Sequence, residues 1–293
     1  MSAPPRSLST IAVDVLESCV QHRLLTTVQL HDLHRPARRI RATQQLLAKL
    51  RDLDLLATAG GRREPLLWYA TERGAATVEA VAMRAETRHK LISPEQAAGP
   101  LRHHTVAVND VGLAFVRAAR QRGDDCGPQS WRHEIAHPLG PPPGQHASEQ
   151  LIADALLTYQ HNDDEAIRFH YRFIELDRAT MPVDTLADKL ARYARLYRYA
   201  GRPTARGDAR ALWTHRYTVF PGVLLVLAGD TRDRLQRRRR IVLDLCAADR
   251  QLTATQQVKV TCCLLNDLRD QGPFAEIFHR PEAPKEPTDW LRA

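Results

Sequence analysis

The chain has little that could cross-link or anchor it. Its five cysteines, Cys19, Cys126, Cys246, Cys262 and Cys263, form no CxxC pair, which argues against a disulfide framework or a zinc knuckle and for reduced thiols. Long apolar runs are missing: the longest, VFPGVLLVLAG, is too short to cross a bilayer and contains Pro221. The leading MSAPPRSLST lacks the apolar core of a signal peptide. A cytoplasmic protein with no membrane partner is expected. No glycine-rich phosphate loop of the nucleotide-hydrolase kind is present, which argues against an ATP-driven motor. Acid is missing from one stretch in particular. From Arg35 to Arg51 the chain carries Arg35, Arg38, Arg39, Arg41, Lys49 and Arg51 and neither Asp nor Glu.

What is present is ordinary in bulk and informative in its placement. At 293 residues the chain is long enough for two domains, and 43% apolar with 26% charged residues is the composition of a soluble globular protein. A formal charge of +8 and a pI near 9.5 favour a polyanionic partner.

The first 90 residues read as a winged helix-turn-helix. Ile11, Val15, Leu16 and Cys19 form one helical stripe. A second helix starts at Thr26 or Thr27, either of which can cap it. After Pro36 a third helix, about Arg38 to Leu53, is expected to bury Ile40, Leu46, Leu47 and Leu50 and to expose Arg38, Arg41, Gln44, Gln45 and Lys49. LDLLATA and EPLLWYAT read as two strands around Gly60-Gly61-Arg62-Arg63, a basic wing, and a helix from Thr71 to about Arg84 closes the domain. Double-stranded DNA is the partner this pattern fits, with Arg38, Arg39, Arg41, Gln45, Lys49, Arg62 and Arg63 as its contacts. A protein-interaction module is the alternative.

SPEQAAGP marks a linker over residues 91–101, and a second domain is expected over 102–280, with a tail at 281–293. Its pattern is helix (about His104 to Gly123), three strands (Trp131 to His137, Leu151 to Tyr159, Ile167 to Asp177), helix (Val183 to Ala200), strand (Val223 to Ala228), helix (Arg232 to Ala248) and strand (Val258 to Leu265). The chain as a whole is therefore an α/β (α+β) protein. Three acids sit on these strands. Asp154 lies inside LIADALLTY, and Glu175 and Asp177 end IRFHYRFIELD, where a period of two puts them on one face. Carboxylates on neighbouring strands would make an oxygen-rich pocket for a hard cation such as Mg²⁺ or Mn²⁺.

The acids resemble the PD-(D/E)XK, or restriction-endonuclease-like, group. Ala153-Asp154 stands where that group has Pro-Asp, Glu175 matches its second acid, and Asp177 occupies the place of its Lys. Some members carry the Lys on the following helix, and Lys189 lies about two turns along from Pro182. The plainer reading of Asp188, Lys189 and Arg192 is a charged helix face. Over roughly residues 7 to 280 the layout resembles the replication-relaxation family of actinobacterial plasmids, most specifically in YATERGAATVEAVA, RHHTVAVNDVGLAF, the Asp154 segment, ELDRAT with DKLARY, and LLNDLRDQGPFAEIF.

The resemblance implies a winged helix followed by a nuclease-like αβββαβ domain, with Asp154, Glu175 and Asp177 as metal ligands and Glu175, Asp177 and Lys189 as the catalytic set. It implies a role in plasmid replication or transfer, with other replication or transfer proteins as further partners and room for a homodimer. A non-catalytic replication or transcription factor on a degenerate nuclease fold is the alternative, and Asp177 is what separates the two. Tyr193, Tyr197 and Tyr199 read as packing residues at helical spacing, and the histidine cluster of rolling-circle relaxases is missing. His133 and His137, Glu134 and the run Arg237 to Arg240 take bland readings: core or surface histidines, an edge-strand acid, a solvated helix face.

Overall fold

A computed structural model describes residues 8–60, 64–82, 91–140, 149–163, 166–200 and 211–293. They form two compact units, one reaching to Leu113 with Gly127–Gln129 added, the other comprising Ala114–Cys126 and Ser130–Ala293. Among the described residues no helix is long and apolar enough to cross a membrane.

The first unit contains α1 (Thr10–His22), β1 (Leu25–Thr26), α2 (Thr27–His34), α3 (Ile40–Asp52), β2 (Leu56–Ala59), β3 (Leu67–Ala70), α4 (Glu72–Ala82) and α5 (Pro94–Ala98). Its three strands are antiparallel in the order β1-β3-β2. Three helices followed by a β hairpin is the winged-helix arrangement expected. Thr26 is the cap of α2: its hydroxyl accepts from Gln29 N at 3.0 Å, and Gln29 Oε1 accepts from Thr26 N at 2.9 Å. This capping box satisfies two backbone donors that the first turn leaves open. His31 Nδ1 and Thr43 Oγ1, 2.9 Å apart, hold α2 to α3. Thr43, Leu47 and Leu50 form the buried stripe of α3, whereas Ile40, expected inside, is 40% exposed at the helix's first position. Gly74 lets α4 close on the hairpin, since a Cβ there would lie 2.1 Å from Leu55 O. The expected linker contains α5, started by a capping box between Ser93 and Gln96 and tied down by the fully buried Ala97.

The remaining elements are α6 (Arg102–Arg122), β4 (Trp131–Gly140), β5 (Glu149–Asn162), β6 (Ile167–Asp177), α7 (Val183–Arg198), β7 (Gly222–Leu227), α8 (Arg232–Ala248), α9 (Arg250–Thr253), β8 (Val260–Leu264), α10 (Leu265–Gln271), β9 (Phe278–Arg280) and β10 (Ala283–Thr288). The division between the units falls within α6. The αβββαβ order is as expected. Seven strands make one sheet, β10-β9-β8-β7-β6-β5-β4, in which β6, β7 and β8 are parallel and the rest antiparallel. Parallel neighbours need crossovers, and α7 and α8 supply them. One large core joins Phe173, Val223, Leu225 and Cys262 of the sheet to Leu186, Leu190 and Tyr193 of α7 and Leu235, Val242 and Leu243 of α8.

The expected tail, residues 281–293, is part of this sheet. β10 pairs with β9 at the edge through rungs at Ala283 and Thr288 with a register shift between them, and Pro284 and Pro287 fall in that irregular stretch, where they interrupt little of the ladder. Beyond it Trp290 is 1% exposed, packed edge-on against Phe115 and Tyr159, and its carbonyl accepts from Arg172. A proline-interrupted, charged segment masks this strand in the sequence, because its anchor is a single aromatic side chain rather than a period.

Candidate active site and nucleic-acid interface

β5 and β6 pair from Asn162↔Ile167 as far as Ala155↔Ile174. The next positions are Asp154 and Glu175, and there the backbone ladder gives way to a side chain: Leu176 N donates to Asp154 Oδ2 at 2.8 Å. The carboxylate thus replaces a backbone acceptor that the strand would otherwise have to supply. Glu175 is 1% exposed. α7 packs over it and contributes two side chains four residues apart, one helical turn on one stripe. Tyr193 donates its hydroxyl to Glu175 Oε1, and Lys189 donates its ammonium to Glu175 Oε2. The same ammonium is 3.6 Å from Asp154 Oδ1.

Each carboxylate therefore has one oxygen tied to the protein and one turned toward a shared cation. Burial, and then the charge of Asp154, push the Glu175 carboxyl up to about 8, against the opposing pull of Lys189 and Tyr193. Burial works against the Lys189 ammonium, but Glu175 and Asp154 outweigh it and the group is held above its ordinary value. Burial beside Glu175 raises Tyr193 well above the usual phenol range.

Of the expected catalytic and metal-binding set, Asp154, Glu175 and Lys189 come together and Asp177 does not. Asp177 shares the face of Glu175 but reaches α8, where Arg238 Nε donates to its Oδ2 at 2.5 Å while the same guanidinium donates to Met181 O. Among the described residues no three His, Cys, Asp or Glu side chains stand close enough to hold a metal. The three acids expected to share one pocket therefore do not converge: Asp154 and Glu175 meet at Lys189, and Asp177 meets Arg238. Arg238 of the bland arginine run is thus a partner of the sheet, while Arg237 and Arg240 are exposed.

Lys189 does not lie on a solvated face. The charged residues of α7 divide, with Arg192 and Arg195 pairing with Glu149 at 2.7 and 3.0 Å and Lys189 turning inward. Tyr193 was missed as a site residue, and its position one turn after Lys189 in DKLARY is the signal that could have found it. His137 is buried, with Nε2 2.8 Å from Tyr217 OH, which removes it from any pairing with His133 at a metal. Glu134 is an exposed residue of the edge strand β4, as expected. It sits between the rungs His133↔Ala155 and Ile135↔Ala153, opposite Asp154, with a left-handed φ of 51°. A non-glycine residue held there stores on the order of 1–3 kcal/mol of strain.

In the first unit, Arg38 and Arg39 precede α3 and Arg41, Gln44, Gln45 and Lys49 lie on it; Arg38, Arg39 and Arg41 fall in an exposed run over 36–41, and Gln44, Gln45 and Lys49 are exposed further along the helix. Arg62 and Arg63 lie outside the described residues.

A winged-helix unit with an exposed basic helix, and a mixed sheet carrying two carboxylates and a lysine on adjacent elements, define a two-unit α/β protein with an acidic site on its second sheet. Residues 16–209 match the replication-relaxation family, and the chain belongs to it. No curated relative matches. Among solved structures, a point mutant of ZitR from Lactococcus lactis is 15% identical over 28% of this chain and 56% of its own, with a TM-score of 0.24. The restriction endonuclease FokI is 9% identical over 89% of this chain and 43% of its own, with a TM-score of 0.31. FokI bound to DNA gives a TM-score of 0.27 over the same shares. The chain thus spans about half the length of the solved proteins it matches.

Proposed function

We propose that the chain is a DNA-binding protein of plasmid or mobile-element replication or transfer, whose second unit nicks or cleaves DNA with a divalent metal. The observation that carries the catalytic half is the convergence of Glu175 Oε2 and Asp154 Oδ1 on one cation, the Lys189 ammonium. A divalent ion fits this donor set, because Mg²⁺ is commonly held by one or two carboxylates, with water and phosphate oxygens completing its shell. Asp154 and Glu175 would hold it. Mg²⁺ or Mn²⁺ bound there would polarise the phosphate and lower the pKa of an attacking water.

Lys189 takes the role of charge stabiliser. Its carboxylate neighbours keep it protonated, so it can offset the negative charge that builds as a water oxygen bonds to phosphorus and the bond to the leaving oxygen breaks. The Arg238 guanidinium neutralises Asp177, which would otherwise repel the phosphate from the position where the related nucleases carry Lys. In the first unit, Arg38, Arg39, Arg41, Gln45 and Lys49 offer donors suited to phosphates and to guanine and adenine edges in the major groove.

One observation favours the non-catalytic reading: an acid, Asp177, occupies the third motif position. Incubating the protein with supercoiled plasmid and Mg²⁺ or Mn²⁺ decides between the two. Nicked or linear product is expected from the wild type and none from Glu175→Ala. An untouched plasmid, with salt-sensitive duplex binding retained, replaces the nuclease reading with that of a binding factor.

A further inference from the structure

The two carboxylates of the site differ from an ordinary acidic pair in that each is held against turning. Leu176 N occupies Asp154 Oδ2, and the Tyr193 hydroxyl occupies Glu175 Oε1. Tyr193 is itself fixed in place: it is fully buried, its ring tilted against Phe173 at 5.1 Å, on a helix whose neighbours Leu190, Ala194 and Leu196 are in the core. Turning away from Glu175 would strand the phenol's proton among apolar side chains, and a buried donor without an acceptor is costly.

We propose that Tyr193 is a positioning residue that sets which metal the site takes, an inference that rests on the metal-dependent reading above. With Oε1 held by Tyr193 and Oδ2 held by Leu176 N, Glu175 and Asp154 each have one oxygen, Oε2 and Oδ1, to give a metal that takes the place the Lys189 ammonium now fills between them. Two single-oxygen carboxylates suit Mg²⁺ or Mn²⁺, which keep several waters in a tight octahedral shell. Ca²⁺ takes six to eight oxygens and often both oxygens of one carboxylate, so the same restraint works against it. Tyr193 therefore selects by withholding a donor atom.

The test is Tyr193→Phe in the full chain, which keeps the packed ring and removes only the hydroxyl. Mn²⁺ affinity is read from the electron paramagnetic resonance signal of the free ion and Ca²⁺ affinity from titration calorimetry. Losing a group that orients a metal ligand costs roughly 10- to 100-fold in affinity, so Mn²⁺ binding should weaken about 10-fold while Ca²⁺ binding holds or tightens. Tyr159→Phe, which removes a buried hydroxyl bonded to Asp124, should leave the Mn²⁺ to Ca²⁺ ratio unchanged. Equal weakening of both ions in Tyr193→Phe, or no change in either, overturns the inference and leaves the metal reading standing. Absence of Mn²⁺ binding by the wild type overturns both. Should Tyr193→Phe not fold, 3-fluorotyrosine at position 193 in otherwise native protein serves instead: its ¹⁹F resonance should move on addition of Mg²⁺, and a resonance that stays fixed while calorimetry reports binding overturns the inference.

Discussion

Lys189 is the residue on which chemistry and architecture meet. Removing it should abolish plasmid cleavage while leaving duplex binding by the first unit intact, and Lys189→Ala in parallel nicking and gel-shift assays checks both. A loss of both activities would mean that the ammonium holds the fold rather than serving the phosphate. His137 supports a second prediction. Burial first, and then the nearby Arg216 charge, hold its imidazole down to about 4 from an ordinary 6.5. Burial likewise holds His170 down to about 4. A depressed folded-state pKa means that the unfolded chain binds more protons in that interval, so these histidines contribute stability that is present above about 6.5 and lost as the pH falls toward about 4. Chemical denaturation at stepped pH should show this loss, and His137→Phe should flatten it by on the order of 1–2 kcal/mol. Lys189 and Tyr193 also show where a sequence falls silent. Their helix and its period could be read, but which charged residue of that helix turns inward depends on Glu149 claiming Arg192 and Arg195, a choice made by a strand much earlier in the chain.

At the scale of the element, α8 is joined to the sheet by the pair Asp177 and Arg238, 4% and 14% exposed at their side chains. Removing one member leaves a buried charge without its partner, which typically costs about 3–5 kcal/mol. Because the Arg238 guanidinium keeps its bond to Met181 O, Asp177→Ala should fall at or below the lower end of that range. The double variant Asp177→Ala/Arg238→Met should recover most of the loss, as urea titrations of the full chain would reveal, and additive losses would mean that the two side chains act separately. The same element explains why the three-acid expectation failed. Alternation along β6 correctly places Glu175 and Asp177 on one face, yet two helices cover that face, and each acid answers to a different one.

For the whole molecule, the legible part was the order of elements. Helix, helix, helix, hairpin, and then αβββαβ were readable because apolar period and turn residues are local signals, and Asp154 and Glu175 were readable because acids on apolar strands are rare. β10 was not, since its place rests on Trp290 and Arg172, which lie far apart in the chain. The basic helix bears on the largest scale, that of the partner. Arg38→Ala/Arg41→Ala/Lys49→Ala should reduce the slope of log affinity for duplex DNA against log salt by about 0.9 for each phosphate that these side chains neutralise in the wild type. An unchanged slope would remove α3 from the interface.

The side chains of the acidic site come from β5, β6 and α7, which follow one another along the chain, from Asp154 to Tyr193. Close spacing in sequence makes for cheap loop closure and low contact order, so such a group can assemble early, before β8 and β9 arrive from further along the chain. The expected signature is kinetic: in pulse-labelled hydrogen exchange during refolding, the amides of β5, β6 and α7 should become protected together and ahead of those in β8. A site built this way would behave as a folding unit in its own right: its contacts form first, and the burial that shifts Glu175 and Tyr193 is completed as β7 and β8 join the sheet.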